Sequence, residues 1–319
     1  MHILVTGANG FVGAHLVARL VSAPSALAWT RLTLVDLQLP AYDSPGISYL
    51  AGSLADPQVL EAALAVPVDV AFHLASVPGG AAERDYELGR QVNLQATLAL
   101  FEQLQQQANP ARVVFASTIA VYGSPLPAVV DDETPLRPGL SYGAQKLIGE
   151  ILLEDLSRRG RLDGIALRLP GIVARPPQSS GLLSAFMSDL FWKLRDGEPF
   201  VCPVSAEGTA WWMSVQCCVD NLLHGALIPA QSLHLKRVFA LPVLHLTLAE
   251  VIEGVNRYAG FTSPPKVQYQ LNPVLQSTFA SYPPLASPAA QALGFIHDGS
   301  LEQLIRRTLG PAQEASPVG

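Results

Sequence analysis

A tyrosine and a lysine four residues apart, Tyr142 and Lys146, are the side chains of this sequence best placed for acid–base chemistry. In a helix, that spacing puts both groups on one face. A free phenol has a pKa near ~10, too high for a good base at neutral pH, but a neighbouring ammonium favours the phenolate and lowers that pKa. The pair therefore predicts a phenolate base, and the alternative is an ordinary surface pair on a helix.

A glycine-rich turn near the N-terminus is the second functional pattern. Gly7, Gly10 and Gly13 follow the apolar run His2–Thr6 and open a helix-length segment. Glycines at this spacing let the backbone turn tightly and approach a pyrophosphate, whose charge is stabilised at the positive end of the helix. The predicted dinucleotide contacts in this turn are Gly7, Asn9, Gly10, Phe11, Val12 and Gly13.

Asp36 indicates which dinucleotide binds. It ends the next apolar run, 23 residues after Gly13, where an acid can accept hydrogen bonds from the adenosine ribose hydroxyls. A carboxylate at this position repels a 2′-phosphate, and neither Leu37 nor Gln38 supplies a positive charge to offset it. We therefore predict NAD, rather than NADP, as the cofactor.

Short apolar runs alternate with helix-length segments through the first half of the chain, which predicts right-handed βαβ units. The predicted fold class is α/β, a Rossmann-type doubly wound parallel sheet with a smaller, discontinuous C-terminal substrate domain. The predicted strands are His2–Thr6, Arg31–Leu37, Ile47–Ala51, Val68–Leu74, Arg112–Ser117 and Gly164–Leu169. The predicted helices between them are Phe11–Ala23, Pro57–Ala65, Glu83–Asn109 and Ser141–Arg159.

The pattern changes after Leu169, and this change sets the expected domain boundaries. A loop rich in proline, glycine and serine follows, and six prolines between 264 and 288 predict a segment with little regular structure. We expect residues 1–170 and about 213–245 to form the NAD-binding domain, 171–212 and 246–309 the substrate domain, and 310–319 a flexible tail. The elements predicted here are the helices Gly181–Leu194, Ser214–Ile228, Thr247–Ala259 and Glu302–Leu309 and the strand Lys236–Leu241.

Composition argues against several other classes of protein. The chain has 319 residues, of which 49% are hydrophobic and 14% charged, so it can bury a large core and is not disordered. Its net charge of −6 does not favour nucleic acid, and no apolar run reaches the ~18 residues needed to span a bilayer. The N-terminus does not read as a signal peptide, and the three cysteines match neither a disulfide framework nor a zinc site. We predict no metal, no nucleic-acid or membrane partner, and a cytoplasmic location.

Together these motifs resemble the extended short-chain dehydrogenase/reductases, in their nucleotide-sugar epimerase-like branch, over essentially the whole chain. The resemblance implies a catalytic triad of Thr118, Tyr142 and Lys146, with Ser117 as the alternative to Thr118. Thr118 would hold the substrate oxygen while Tyr142 takes or returns the proton. The matching segments beyond the glycine turn and Asp36 are His73-Leu-Ala75, Asn93, Ser117-Thr-Ile-Ala-Val-Tyr-Gly123, Glu133-Thr-Pro135 and Tyr142-x-x-x-Lys146.

The resemblance also implies further cofactor contacts. It places Ser53 and Leu54 near the adenine, Ala75 near a cofactor ribose, and Pro170 and Ile172 near the nicotinamide. The implied contacts outside the glycine turn are Asp36, Ser53, Leu54, Leu74, Ala75, Ser76, Asn93, Tyr142, Lys146, Pro170 and Ile172.

Two polar residues of the matching segments have a structural alternative. His73 is expected to be structural rather than a catalytic imidazole, because it ends an apolar strand. Asn93 is expected to support the region of Lys146 through hydrogen bonds to backbone groups.

Departures from the family pattern narrow the expected reaction. Sugar-nucleotide dehydratases resemble this chain but carry Asp-Glu after the catalytic threonine, where this chain has Ile119 and Ala120. Epimerases usually carry an asparagine after the strand that ends near Leu169, and this chain lacks it. Dehydration is therefore not expected. An NAD-dependent nucleotide-sugar epimerase stays open as the alternative enzyme, and a non-enzymatic redox-sensing protein on the same fold as a third hypothesis.

A closer resemblance is to the D-erythronate dehydrogenases, a group within this family. It rests on segments such as Ser76-Val-Pro-Gly-Gly80 and Val201-Cys-Pro-Val204. It implies that the 2-hydroxyl of a short sugar acid is oxidised to the 2-oxo acid. The resemblance to the wider family implies a homodimer, since relatives often dimerise through the helices matching Glu83–Asn109 and Ser141–Arg159. The expected substrate contacts are Ser76, Pro78, Gly79, Gly80, Thr118, Tyr142, Arg175, Ser180 and Trp212, although Trp212 and its neighbour Trp211 could instead be core residues.

Overall fold

The central sheet is parallel and has seven strands, which confirms the predicted fold class. The computed structural model describes residues 1–22, 27–39, 45–177, 182–233 and 235–310. The strands formed by these described residues are β1 (His2–Thr6), β2 (Arg31–Asp36), β3 (Ile47–Ala51), β4 (Val70–His73), β5 (Arg112–Thr118), β6 (Asp163–Leu169), β7 (Gly171–Val173), β8 (Phe200–Cys202), β9 (Thr209–Ser214), β10 (Val238–Ala240), β11 (Leu244–Thr247) and β12 (Val267–Tyr269).

The order of the strands creates a binding crevice. The seven strands lie in the order β10-β6-β5-β4-β1-β2-β3, and every neighbouring pair is parallel. The chain runs outward from β1 to β2 and β3 on one side, and from β4 to β5 and β6 on the other. The loops at the carboxyl ends of β1 and β4 therefore diverge, and open α/β sheets bind ligands at such a point.

Helices cover both faces of this sheet. One apolar core joins the helices at 11–21 and 215–227 to the strands and includes Ile3 and Val5. The other joins the helices at 96–104 and 141–158 and includes Leu4. Because alternate residues of β1 enter opposite cores, the strand must be apolar throughout. The helices among the described residues are α1 (Phe11–Val21), α2 (Pro57–Ala63), α3 (Gly79–Arg84), α4 (Tyr86–Gly89), α5 (Ala96–Leu104), α6 (Ser141–Arg158), α7 (Phe186–Arg195), α8 (Val215–Leu227), α9 (Ala230–Leu233), α10 (Leu248–Tyr258), α11 (Pro273–Phe279), α12 (Pro288–Ala292) and α13 (Leu301–Leu309).

The predicted helix Glu83–Asn109 is helical without a gap from 86 to 104, but it is interrupted at Asp85 and ends at Leu104. The segment is divided among α3, α4, a π-helical stretch at Arg90–Gln95 and α5. The break falls at Asp85, which has φ −127° and ψ 86°. Its carboxylate accepts a hydrogen bond of 3.0 Å from the Leu88 N–H. Asp85 therefore ends one helix and caps the next.

A smaller unit stands beside the main sheet. It contains the sheet β11-β9-β7 and the pair β12-β8, and its core joins α7, α10 and α13. The segment predicted to have little regular structure contains β12, α11 and α12. Pro273 and Pro288 begin these two helices, where the missing N–H costs nothing, and Asn272 caps α11. The predicted tail beyond residue 310 lies outside the described residues.

None of the helices among the described residues is both long and apolar enough to cross a membrane.

Candidate active site

A cleft of about 340 Å³ opens at the carboxyl ends of β1 and β4. The smaller unit closes its other side through α7 and the segment that follows α11. The predicted site residues that line it are Gly7, Gly10, Phe11, Val12, Gly13, Leu74, Ser76, Pro78, Gly79, Gly80, Thr118, Tyr142, Pro170, Ile172 and Arg175.

The glycine turn forms one wall of the cleft from backbone alone. Gly7 has φ +72°, and a Cβ on Gly13 would lie 1.9 Å from the Gly7 carbonyl oxygen. Helix α1 begins directly after Gly10, which provides no side-chain cap. The first N–H groups of α1 are therefore free for an anionic ligand. This cradle, which side chains would fill, fits the pyrophosphate of a dinucleotide.

Asp36 is fixed at the end of β2 by two backbone donors. Its carboxylate accepts hydrogen bonds from the Asn9 N–H (2.8 Å) and the Leu37 N–H (2.7 Å). An ionised carboxylate has further lone pairs, so it can also accept from a ribose diol. Asn9 holds the carboxylate and does not line the cleft. The position fits the adenosine half of NAD.

Three further residues expected at the cofactor lie near the same edge of the sheet. β3 ends at Ala51, which pairs with Asp36, so Ser53 follows close to that carboxylate. The Leu54 side chain is buried in the core, which leaves only its backbone to face a ligand. The Ala75 N–H donates a 3.3 Å hydrogen bond to the hydroxyl of Thr6 and is thereby occupied.

Three hydroxyl groups meet in the cleft. Tyr142 lies in the first turn of α6, Thr118 ends β5, and Ser76 lies in the loop after β4. The hydroxyls of Thr118 and Ser76 lie near enough to the Tyr142 phenol to favour its charged form. Ser117, the alternative to Thr118, also lines the cleft, but its hydroxyl is hydrogen-bonded to Glu150.

Lys146 lies one turn after Tyr142 and is almost completely buried. Its Nζ donates a 2.9 Å hydrogen bond to the Ala116 carbonyl and lies 4.7 Å from the ring centroid of Phe115. Burial lowers the pKa of Lys146 to about 7, and the negative charge of Glu150 opposes this effect. Lys146 does not itself line the cleft, although Ala116, which accepts its hydrogen bond, does.

The expectation that Lys146 lowers the pKa of Tyr142 needs correction. Burial raises the pKa of Tyr142, because a buried phenolate is poorly solvated. The opposing influences are the hydroxyls of Ser76 and Thr118 and the positive charge of Arg175. In the protein alone, Arg175 is therefore the cation that favours the phenolate.

Arg175 reaches across the cleft between the two units. Its N–H donates to Ser188 Oγ (3.0 Å), and its carbonyl accepts from Trp192 Nε1 (2.6 Å), so its backbone is anchored to α7. Its guanidinium lies over the ring of Phe11, 4.8 Å from the centroid. Burial lowers the pKa of Arg175, and the Tyr142 phenol opposes that effect. The side chain thus brings a cation to the centre of the cleft.

Trp212 does not contact the cleft, and its predicted substrate role is wrong. Its side chain is fully buried in the core of the smaller unit, where Nε1 donates to the Leu246 carbonyl and the ring meets Phe191 edge-on. Its neighbour Trp211 points to the opposite face of β9 and lines the cleft. Ser180 lies outside the described residues.

Asn93 is also separated from the cofactor site. Its Oδ1 accepts from the Val77 N–H (2.7 Å), while its Nδ2 donates to the Val77 carbonyl and to Gln145. The side chain is fully buried and fully used, so its prediction as a direct cofactor contact is corrected to support of the Val77 loop. His73 lies between the hydroxyls of Thr6 and Thr97, and burial lowers its pKa to about 3, as suits a neutral structural histidine.

The far end of the cleft is lined by residues that the sequence did not indicate. Met187 and Asp189 come from α7, and Phe279 and Tyr282 come from the proline-rich segment. The ring of Tyr282 lies 4.6 Å from that of Trp211, centroid to centroid. No local motif marks these residues, because only the packing of the smaller unit brings them to the cleft.

Among the parts of the chain that the structure describes, no group of three His, Cys, Asp or Glu side chains is arranged to hold a metal ion.

Comparison with known proteins identifies the family. A family model described as the NAD dependent epimerase/dehydratase family matches residues 3–215. The chain belongs to this family. This membership confirms NAD as the cofactor, and it confirms the prediction of an NAD-dependent enzyme related to the extended short-chain dehydrogenase/reductases.

Three relatives extend over nearly the whole chain. The chain is 39% identical to a D-erythronate dehydrogenase of Cupriavidus necator, over 96% of this chain and 97% of that protein. It is 30% identical to a D-erythronate dehydrogenase of Haemophilus influenzae, with 96% and 98% covered. The crystal structure of a nucleoside-diphosphate-sugar epimerase from Agrobacterium tumefaciens superposes with a TM-score of 0.89 at 35% identity, covering 96% of this chain and 92% of that one.

Proposed function

We propose that this protein is an NAD-dependent dehydrogenase that oxidises the 2-hydroxyl of a short sugar acid such as D-erythronate to the 2-oxo acid, with Tyr142 as the base. The observation that carries the proposal is that Tyr142, Thr118, Ser76 and Arg175 line one cleft. In that cleft the two hydroxyls and the guanidinium favour the charged form of the Tyr142 phenol. The similarity to two D-erythronate dehydrogenases supports this substrate class.

The proton-transfer step follows from the three hydroxyls. Thr118 holds the substrate hydroxyl against Tyr142, which accepts its proton as the C2–H bond breaks. Bound NAD supplies the hydride acceptor. Arg175 and the Thr118 and Ser76 hydroxyls stabilise the phenolate that must exist before this step, because each favours the charged form of Tyr142. Lys146, one helical turn after Tyr142, would hold the nicotinamide ribose when NAD is bound.

Recognition of the substrate carboxylate falls to Arg175 and the turn before α3. A guanidinium is well suited to a carboxylate because its N–H groups can bind two oxygens at once. The N–H groups of Gly79 and Gly80 are the first two of α3 and have no acceptor within that helix. Gly79 also lies close to the ring of Tyr142, where a Cβ would be 3.5 Å from Cδ1. Donors for the carboxylate therefore adjoin the base.

A nucleotide-sugar epimerase is the second candidate function. It is favoured by the structural similarity to the nucleoside-diphosphate-sugar epimerase from Agrobacterium tumefaciens. The residues at the site favour it less. Arg175 is the one basic side chain among the described residues that line the cleft, and a diphosphate would have to share this single charge. Ile119 and Ala120, which also line the cleft, supply no acid or base for dehydration.

A substrate panel tests the proposal. The purified protein is incubated with NAD and a series of C4 to C6 sugar acids, and NADH formation is followed by absorbance. We expect steady NADH production with D-erythronate or a related aldonate, and none with NADP at the same concentration. UDP-sugars are tested in parallel for epimerised product and for a shift in melting temperature. NADH from no sugar acid, together with epimerisation of a UDP-sugar, would replace the proposal with the second candidate.

The assembly and location of the protein are also proposals. We propose a homodimer through α4 and α6, because Tyr86, Leu88, Ile148 and Ile151 leave 42–60% of their surface exposed on these helices. Light scattering of the wild type should give twice the chain mass, and Ile151→Asp should give the chain mass. The cysteines are free thiols, which suits the reducing cytoplasm.

A further inference from the structure

The cleft carries one charged side chain of each sign. Among the described residues that line it, Arg175 is the basic one and Asp189 is the acidic one. Arg175 already has a role in the proposed function, because it binds the substrate carboxylate. Asp189 has no such role, and a second carboxylate beside an anionic substrate is unfavourable unless it serves a different part of that substrate.

Asp189 lies in the first turn of α7, and this helix is fixed to the backbone of Arg175. The Arg175 N–H donates a 3.0 Å hydrogen bond to the Oγ of Ser188, the residue before Asp189. One turn further along, Trp192 Nε1 donates to the Arg175 carbonyl at 2.6 Å. The acid and the cation are therefore held in a fixed relation within one cleft.

The two charges do not neutralise each other. The Arg175 guanidinium lies over the ring of Phe11, 4.8 Å from its centroid. Among the described residues, the Asp189 carboxylate accepts no hydrogen bond and forms no ion pair. Burial raises the pKa of Asp189, and the positive charge of the exposed Lys193 opposes that effect. Both charged groups of the cleft are thus available to a ligand.

The end of the cleft around Asp189 offers a hydroxyl a better environment than an anion. Met187, Phe279 and Tyr282 line this end and bring no positive charge to it. Burial raises the pKa of Tyr282 to about 12, so its phenol stays neutral. Largely apolar walls screen charges less than water does, so an anionic group here would be strongly repelled by Asp189. A hydroxyl would instead find a free acceptor.

We propose that Asp189 is a specificity-determining residue, which accepts a hydrogen bond from the hydroxyl farthest from the substrate carboxylate and excludes substrates with a second anionic group at that position. The inference rests on the proposed function, because Arg175 must hold the substrate carboxylate for the rest of the substrate to extend toward α7. For D-erythronate the hydroxyl is the one on carbon 4. The excluded compounds are the corresponding dicarboxylates.

The same pair of charges sets the direction in which the substrate binds. A sugar acid bound in reverse would place its carboxylate at Asp189 and leave Arg175 without an anion. Bound in the favoured direction, its carboxylate lies at Arg175, and carbon 2 is the nearest carbon that carries a hydroxyl. Asp189 thereby helps to present carbon 2, rather than carbon 3, to Tyr142.

Two substrates that differ only at carbon 4 test the exclusion. D-Erythronate ends in a CH₂OH group, and meso-tartrate has a carboxylate in its place with the same configuration at carbons 2 and 3. NADH formation is measured with each at pH 8, well above the ordinary pKa of 3.8 for the Asp189 carboxyl. Wild type should prefer D-erythronate. In Asp189→Asn, which keeps the size and an acceptor oxygen, the ratio of the two kcat/KM values should fall at least about tenfold, because the like-charge repulsion is gone.

A third substrate tests the hydrogen bond. Asp189→Leu removes the acceptor as well as the charge, so kcat/KM for D-erythronate should fall about 10–150-fold, the range for a hydrogen bond to a charged group. With the 4-deoxy analogue of D-erythronate, wild type and Asp189→Leu should have equal kcat/KM. Asp189 has no internal hydrogen bond to lose among the described residues, so both variants are expected to fold.

Asp196→Asn is the matched control. It removes the same charge from the end of α7, where Asp196 is bound to Arg195 outside the cleft. It should leave the ratio of the two kcat/KM values as in wild type. A ratio that is also unchanged in Asp189→Asn, or equal kcat/KM for the two acids in wild type, would overturn the inference and leave the dehydrogenase proposal intact.

Binding separates the two proposals if no sugar acid is oxidised. Absence of NADH from every sugar acid would overturn the dehydrogenase proposal, and calorimetric titration of the NADH complex would then decide the role of Asp189. Wild type should bind D-erythronate at least about tenfold more tightly than meso-tartrate, and Asp189→Asn should reduce this difference. Equal affinities in wild type, or no binding of either acid, would overturn the inference as well.

Discussion

The two sides of the cleft are built from different parts of the chain. On the cofactor side, most of the groups expected at the ligand are backbone, namely the turn at Gly7 and Gly13 and the first N–H groups of α1. The one side chain among them, Asp36, is held in place by backbone donors. On the substrate side the expected groups are side chains, chiefly Tyr142 and Arg175. A backbone site is damaged by an added atom, whereas a side-chain site is damaged by a removed one.

The largest loss of activity is expected from removal of a single oxygen on the substrate side. Tyr142→Phe keeps the ring against Gly79 but deletes the group that accepts the proton. We expect kcat for sugar-acid oxidation to fall about 10²–10⁴-fold, the range for loss of a general base, with NAD affinity unchanged. The rate of NADH production measures kcat, and calorimetric titration measures the affinity for NAD.

The matched control for this variant is Tyr269→Phe, which removes the same oxygen from a side chain that is 41% exposed on β12, away from the proposed dimer helices. It should leave both kcat and NAD affinity at wild-type values. Turnover retained by Tyr142→Phe would remove Tyr142 from the role of base.

Addition of a single methyl group should have the next largest effect, on the opposite side of the cleft. In Gly13→Ala the new Cβ would lie 1.9 Å from the Gly7 carbonyl oxygen, so the turn must move. Overpacking of this kind costs roughly 1–3 kcal/mol, which corresponds to a loss of NAD affinity of about 5–150-fold if the turn is displaced. Calorimetric titration measures the affinity.

Gly139→Ala is the control for the glycine turn, because a Cβ there has no heavy atom within 4 Å. Its NAD affinity should equal that of the wild type. If Gly13→Ala binds NAD as well as Gly139→Ala does, the tight approach of α1 to β1 is not needed for the cofactor.

The same difference explains how much of the molecule could be predicted from the sequence. The cofactor side is made of consecutive residues, so a local pattern was enough to predict β1 and the glycine turn correctly. The substrate side is made of residues far apart in the chain. β7 and β8 have three residues each, which is too short for a periodic pattern, and they were not predicted.

Trp211 and Trp212 show why side-chain orientation on the substrate side was unpredictable. Ala210 to Met213 are all buried, because both faces of β9 pack against other elements. Alternation in the sequence therefore carries no information on which face meets the cleft. The contact between Arg175 and Phe11 joins residues 164 positions apart, and no spacing rule anticipates it. The break at Asp85 was missed because the residue type fits a helix surface as well as a cap.

Arg175→Gln should have an effect of the same order as Gly13→Ala, but on binding of the substrate rather than of the cofactor. A charged hydrogen-bonded contact is worth about 1.5–3 kcal/mol, so KM for the sugar acid should rise roughly 10–150-fold. Because the Arg175 charge favours the phenolate, its removal should raise the pKa of Tyr142 further, and activity should begin at a higher pH than in wild type. Steady-state kinetics from pH 6 to 10 measure both changes.

Arg195→Gln is the control for charge and stacking together. Arg195 also lies over an aromatic ring, 4.9 Å from the Trp192 centroid, but it is bound to Asp196 away from the cleft. It should leave KM and the pH profile unchanged. An unaltered KM in Arg175→Gln would show that the carboxylate is bound by the amides of the α3 turn alone.

The smallest effect is expected at Asp36, the side chain on the cofactor side that backbone N–H groups hold in place. In Asp36→Asn one carboxylate oxygen becomes an NH₂ group, which cannot accept from both the Asn9 and the Leu37 N–H groups. Loss of one hydrogen bond of about 1 kcal/mol should weaken NAD binding roughly fivefold. Removal of the negative charge should narrow the preference for NAD over NADP, since the 2′-phosphate is no longer repelled.

Asp56→Asn, which keeps an N-cap on α2, should change neither affinity. An unchanged ratio of NAD to NADP affinity in Asp36→Asn would mean that the shape of the backbone, and not the charge it holds in place, selects the cofactor.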